Sequence, residues 1–235
     1  MYKGIYIALS GAKLKQKHLD IFAQNIANSS TSGYKKERIS FKDFIVPSDN
    51  GNPLTKNGRV MTEVSAIVTD YSSGGLISTG NPLDLAINGK GFFALEDNKY
   101  TRSGQFRINP EGDLETGDGV KVLGDGGPVN VQGSNIEIST SGEILVDGIS
   151  VGSLKVVDFD NRGVLTKING TMFTTDQAAQ ELEADISQGY LEASNVEVVR
   201  EMVQMITALR EFESYQKMIH AIDEATSKTV NEMGR

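Results

Sequence analysis

The chain has 235 residues, a formal net charge of −8, 38% hydrophobic residues, 25 glycines, no tryptophan and no cysteine. That length suits one large or two modest domains; the lack of cysteine excludes disulfides, thiol catalysis and thiolate metal sites, and the acidic balance argues against a general nucleic-acid binder. All five prolines and 20 of the 25 glycines fall between residues 39 and 188, so composition separates two helical ends from a glycine-punctuated middle.

The first stretch, Tyr2 to Lys36, carries apolar residues at alternating steps of three and four: Tyr2, Ile5, Leu9, Ala12, Leu19, Ala23 and Ile26, with polar Gln16 interrupting. That spacing predicts a helix with a heptad seam. The small residues Ala8, Gly11 and Ala12 lie near the seam, and a stripe this thin needs a partner helix. Asn28, Ser29, Ser30, Thr31, Ser32 and Gly33 end it as a cap and turn. Gly33 is expected at positive φ, turning Tyr34 back onto the helix pair. Met1 to Ala12 has no uninterrupted apolar run or cleavage site, so no signal peptide is expected, and no segment approaches the length of a membrane span.

Residues 35–74 read as an extended connector. It has a modest alternation at Ile39, Phe41 and Phe44, a turn-rich Pro47–Pro53, and a β-branched run from Arg59 to Tyr71. From Leu83 the pattern is short strands separated by turn dipeptides such as Asn88-Gly89, Asp118-Gly119 and Asp147-Gly148. The candidate strands are Leu83–Ile87, Phe92–Leu95, Lys99–Arg102, Phe106–Ile108, Val120–Leu123, Ile136–Ile138, Ile144–Val146, Leu154–Phe159, Leu165–Ile168 and Met172–Thr174. This spacing is that of a sandwich or barrel. Ala178 to Asp185 is expected to form a short helical turn.

Ser194-Asn195-Val196-Glu197 has the form of a capping box. Beyond it Val198, Met202, Met205, Leu209, Phe212, Tyr215, Ile219, Ile222, Thr226, Thr229 and Met233 give a second seam, with two consecutive three-steps at Leu209, Phe212 and Tyr215 that predict local overwinding. Val199, Val203 and Ile206 add a second apolar row, more than one short partner helix covers, and the surplus reads as intermolecular. Residues 1–38 carry seven Lys/Arg against two acids, and residues 189–235 five against eight; opposite signs favour pairing of the two helices.

Little in the chain points to chemistry. His18 and His220 lie off the seams, as solvated or interface residues rather than metal ligands. Asp158-Phe159-Asp160-Asn161-Arg162-Gly163 has the glycine of a calcium loop, but Arg162 takes a ligand position and no bidentate glutamate follows. No pair of carboxylates is grouped with a distinctive neighbour. Arg102 reads as a structural ion pair or turn hydrogen bond, and Arg210 with Glu213 as an exposed pair one turn apart or as a bridge to neighbouring subunits. No catalytic residue, cofactor or metal is expected.

Asn25-Ile26-Ala27-Asn28 followed by Thr31, Gly33, Tyr34 and Lys35 resembles the N-terminal signature of the bacterial flagellar axial proteins, the rod and hook subunits. Gln188 to Val196, with Met202, Ile206, Arg210, Phe212 and Glu213 beyond it, resembles their C-terminal signature. Thr79–Ile87, Gly89–Phe93 and Tyr100–Phe106 resemble the middle of the same family. The resemblance spans almost the whole chain and implies an α+β fold: N- and C-terminal coiled-coil-forming helices packed together, with an inserted all-β, sandwich- or barrel-like domain. The corresponding division is 1–34 and 188–235 as a discontinuous helical domain, 35–74 as connector and 75–187 as the β-rich domain.

The implied role is a structural subunit of the basal-body rod. Such a subunit polymerises with itself and with other rod and hook subunits and is exported unprocessed through the flagellar export apparatus. It sits in the periplasmic rod and has neither a nucleic-acid partner nor a membrane insertion. Leu9, Leu19, Asn25, Ile26, Asn28, Gly33, Tyr34, Leu191, Ser194, Asn195, Val196, Met202, Met205, Ile206, Leu209, Arg210, Phe212 and Glu213 are the expected assembly residues. The short connector favours a proximal-rod over a distal-rod subunit, and the hook subunit is disfavoured because its middle is usually larger. An extracellular binding module and, third, an enzyme are the alternatives from other classes.

Overall fold

The computed structural model describes residues 2–46, 59–133, 135–183 and 185–233. They form two helices packed together and a central antiparallel β-rich domain, an α+β fold. Contacts divide the chain into two compact units. One gathers helix α1 (Tyr2–Ala27), strands β1 (Glu37–Val46) and β2 (Arg59–Thr69), and helix α2 (Val198–Met233). The other comprises Asn28–Lys36 and Asp70–Val196.

In the first unit α1 and α2 run antiparallel. A Cβ built on Gly4 would meet Ile222 at 3.6 Å and one on Gly11 would lie 2.5 Å from the Tyr215 ring. Lys15 pairs with Glu211 at 2.5 Å, and Asn25 donates to Glu201 Oε2 at 3.2 Å. The covered residues of α2 are Val198, Glu201, Met205, Ala208, Phe212, Tyr215, Ile219, Ile222 and Thr226, which alternate three and four without a break. The seam therefore passes through Glu201 and Ala208, not through Met202 and Leu209, which are exposed. The expected overwinding disappears with that reassignment, because the two consecutive three-steps came from placing Leu209 on the seam.

On α1 the covered line runs through Ile5, Ala8, Ala12, Lys15, Leu19, Phe22 and Asn25, and Leu9, Gln16 and Ala23 face away. Small side chains set this register. Ala8, Ala12 and Ala208 are buried and Gly11 gives the Tyr215 ring its room, so the helices meet where their side chains are shortest.

The connector is extended, and its two strands pair with each other: β1 and β2 are antiparallel from Glu37 opposite Thr69 to Val46 opposite Arg59, with a bulge between Ser40 and Phe41. The turn-rich Pro47–Pro53 lies outside the described residues.

In the second unit the largest sheet has six strands, in the order Thr166–Asn169, Met172–Thr174, Lys99–Thr101, Phe92–Leu95, Val156–Asp158 and Gln180–Glu181, every pair antiparallel. Successive side chains of a strand point to opposite faces, so Phe92 and Phe93 feed different cores. Phe93 joins Leu85, Leu95, Leu114, Val122, Ile144 and Ile186; Phe92 joins Tyr100, Phe159, Leu165 and Phe173, an aromatic group with ring centroids 4.9–6.2 Å apart.

Two local expectations are corrected. Ala178 to Asp185 contains no helical turn among its described residues: Gln180–Glu181 pairs with Val156–Asp158 and Leu182 N donates to Val156 O at 3.0 Å, because the open sheet edge offers these backbone groups partners. The capping box does not form either. Ser194 Oγ accepts from Val196 N at 3.3 Å, ahead of the helix, and Glu197 O takes the N–H of Glu201 at 3.0 Å, so α2 starts one turn later than the motif placed it.

Candidate assembly surface and a buried charge junction

The first feature lies on the helix pair. With Glu201, Met205, Ala208 and Phe212 turned inward, α2 leaves Val199, Met202, Val203, Ile206 and Leu209 exposed, Ile206 at 52% and Leu209 at 45%. Val199 to Ile206 and Met202 to Leu209 are each one heptad, so these residues form a second continuous row over three turns. On α1, Tyr6, Ile7 and Leu9 are likewise exposed. Contiguous apolar surface of this size is unusual on a monomeric soluble protein. Arg210 and Glu213 flank the row, both exposed, and among the described residues no ion pair joins them.

The second feature lies in the β-rich unit. Lys35 and Glu192 pair at 2.6 Å and Arg102 Nε meets the other carboxylate oxygen at 2.6 Å. The three residues are 1%, 2% and 4% exposed for Lys35, Glu192 and Arg102. Gly74 N donates to Glu192 Oε1 at 2.9 Å, and Gly33 N donates to the Glu192 carbonyl at 2.8 Å. Arg102 also donates through Nη1 to Gly91 O (2.6 Å) and through Nη2 to Gly89 O (2.6 Å) and Ile87 O (3.0 Å), and Lys35 Nζ donates to Ser72 O at 2.8 Å. The N-terminal, central and C-terminal motifs thus each contribute one charged side chain to a single cluster. Arg102 makes the structural ion pair that its motif suggested; Glu192 at the centre was not singled out.

Burial alone would raise the Glu192 carboxyl, but the Arg102 charge, the Lys35 hydrogen bond and charge and the Gly74 N–H together hold it below the ordinary carboxylate range. Burial lowers the Lys35 ammonium, the charges of Arg102 and Arg162 add to that, and Glu192 opposes it. A buried ion cluster is held only while every member keeps its partners.

Around this cluster the turn after α1 is fixed in place. Gly33 has φ +71°, and a Cβ there would lie 2.3 Å from Ser103 N and 2.5 Å from Ser103 Cα. Tyr34 is fully buried, with Lys167 Nζ 3.8 Å from its ring centroid while that ammonium also donates to Lys35 O at 2.9 Å. The expected positive φ is present, and the Tyr34 ring meets Lys167 of the β-rich unit. Gly33→Val is strained in φ and collides with backbone. It should lower the melting temperature of the purified chain well below that of Ser30→Val, which changes an exposed side chain; equal melting would contradict this.

The three asparagines among the expected assembly residues are internal braces. Asn25, buried, donates to Glu37 O and accepts from Glu37 N, both at 3.0 Å. Asn195 accepts from Lys36 N at 2.8 Å and donates to Asp70 O at 2.8 Å and Ser72 O at 3.1 Å. Asn28 accepts from Thr31 through its carbonyl at 3.2 Å and its side chain at 3.3 Å. Leu191 is buried. Leu19, Ile26, Ser194, Val196, Met205 and Phe212 are partly covered within the chain. Of the expected assembly residues, Leu9, Met202, Ile206, Leu209, Arg210 and Glu213 face outward.

The Asp158 carboxylate, the first ligand position of the calcium-like stretch, is occupied by Arg162, with Nε–Oδ1 2.9 Å and Nη2–Oδ2 2.8 Å. Among the described residues no group of three His, Asp or Glu side chains is placed to hold a metal, and no helix is long and apolar enough to cross a membrane.

Comparison with known proteins places these features in context. Residues 5–35 match the family model described as flagella basal body rod protein. Residues 86–146 match the flagellar hook protein FlgE/F/G D1 domain, and residues 187–233 the flagellar basal body rod FlgEFG protein C-terminal model. The chain is 34% identical to the flagellar basal-body rod protein FlgF of Caulobacter vibrioides, over 100% of this chain and 99% of that protein. It is 32% identical to FlgG of Bacillus subtilis, over 98% and 99%, and 31% identical to FlgG of Agrobacterium fabrum, over 96% and 97%.

Proposed function

Because the chain belongs to the bacterial flagellar basal-body rod proteins and is a structural subunit of that rod, we propose that it polymerises helically through the exposed apolar row of its helix pair. The observation that carries this reading is that α2 completes one seam against α1 and still presents Val199, Met202, Val203, Ile206 and Leu209 outward. A surface of one subunit that fits a different surface of the next gives an open, helical polymer, and many such apolar contacts make it stiff enough to transmit torque. The role in this reading is mechanical rather than catalytic: the buried Glu192 carboxylate is held by Lys35, Arg102 and Gly74 N.

The partners in this reading are further copies of the chain and other rod and hook subunits. The site in this reading is the periplasmic rod, reached through the flagellar export apparatus. About 38 residues separate Lys35 from Ser73, and this short connector supports a proximal-rod position; the comparably similar distal-type relatives keep a distal position as the second reading. A pull-down of the tagged chain against separately purified rod and hook subunits tests the proposal. Capture of the neighbouring rod subunits supports it, and capture of hook subunits alone would overturn the rod position.

A further inference from the structure

Beside the buried junction is a cavity of about 210 Å³, lined by Lys35, Ser73, Lys90, Phe92, Arg102 and Arg162 among others. Its charge does not balance. Lys35 and Arg102 share one carboxylate, that of Glu192. Arg162 is paired through Nε and Nη2 with Asp158, leaving Nη1 without a partner in that pair. Lys90 makes no hydrogen bond or ion pair among the described residues, although its charge reaches Asp158. Four cations thus line the cavity and two carboxylates answer them.

Carbonyl dipoles from Ser72, Gly89, Gly91 and Ile87 solvate the buried pair, but a dipole does not cancel a full charge. A surplus cation in a buried place is costly, and the cost is relieved when an anion is held there. Burial lowers the Lys35 ammonium most, Glu192 opposes that, and the charges of Arg102 and Arg162 add to the lowering. The donors are ammonium and guanidinium groups around a small volume, which suits the oxygens of a compact oxyanion.

We propose that this cavity is a binding site for a small oxyanion, a phosphate-like ion or a carboxylate, held between Lys90, Arg162 and the Lys35–Arg102 side of the junction. The site lies wholly within the β-rich unit and stands independently of the rod assignment.

The test is titration calorimetry of the full-length chain with inorganic phosphate at constant ionic strength, with chloride as the reference ion. The expected result is one saturable phosphate site that chloride does not reproduce. Lys90→Gln should weaken it by about tenfold, the loss of one close charge contact in a half-open site, and Lys90→Arg should restore it. Lys90 is exposed, so the melting temperature of Lys90→Gln without phosphate should equal that of the parent. Phosphate binding no better than chloride, or equal in Lys90→Gln and the parent, would overturn the proposal. The source of the oxyanion follows from self-association. Phosphate that slows it identifies a carboxylate of a neighbouring copy as the occupant in the polymer, and phosphate that binds without slowing it identifies a free ion; both support an oxyanion site.

Discussion

Glu192→Ala should strongly destabilise the β-rich unit. It removes the one carboxylate that Lys35 and Arg102 share and leaves two buried cations facing each other. Breaking a buried ion pair from one side costs about 3–5 kcal/mol, a large share of the roughly 5–15 kcal/mol by which a domain is stable. The melting temperature should fall by on the order of 10 °C. Lys35→Met, which leaves the Glu192–Arg102 pair intact and removes the surplus charge, should cost less. Glu181→Ala, which loses only the exposed pair with Lys155, should cost at most about 1 kcal/mol. Equal melting of Glu192→Ala and Glu181→Ala would contradict the junction's role.

The same carboxylate sets an acid limb. Its folded pKa lies below its unfolded one, so its stabilisation is complete above the unfolded value, about 4.3, and is lost as pH falls through the folded value. Asp158, where burial is outweighed by Arg162, acts in the same sense. Melting followed from pH 7 to pH 3 should fall steeply below about pH 4 in the parent and less steeply in Glu192→Gln, which starts lower.

Leu209→Asp should abolish incorporation into the rod while the purified chain melts as before. Leu209 is exposed, so an aspartate there remains solvated in the monomer. In a polymer it would bury an unpaired carboxylate at every subunit contact, a cost of several kcal/mol each time. Ala208→Asp, one residue away but on the buried seam, should instead destabilise the helix pair before assembly begins. Gln204→Ala, exposed and on the opposite side of α2 from Ile206, should incorporate normally; Glu211 is unsuitable as a neutral control because it pairs with Lys15. Recovery of each variant in isolated basal bodies, beside its melting curve, separates packing from assembly.

Much of this was legible in the sequence. The strands Phe92–Leu95, Phe106–Ile108, Ile136–Ile138 and Met172–Thr174 stand where alternation and turn dipeptides placed them, and both helices follow their three-four spacing. What periodicity missed is where the helices touch. It favours the largest apolar residues, so it chose Met202 and Leu209, whereas close approach selects Ala208 for its size and Glu201 because Asn25 hydrogen-bonds it. The junction was less visible still. Glu192 lies 157 residues from Lys35 and 90 from Arg102, and no local pattern pairs charges across such separations. The available signal was Arg102 as the one charged residue of Tyr100–Phe106 and Glu192 as the one charged residue of Gln188–Val196.

Labelling of an introduced cysteine tests the central claim, that the outward row of α2 is the contact between subunits, most directly. The chain contains no cysteine, so Ile206→Cys carries a single thiol at an exposed position of that row. The account predicts rapid reaction with a maleimide in the purified monomer and strong protection in isolated basal bodies that have incorporated the variant. Equal labelling in the monomer and in the assembled rod would contradict it.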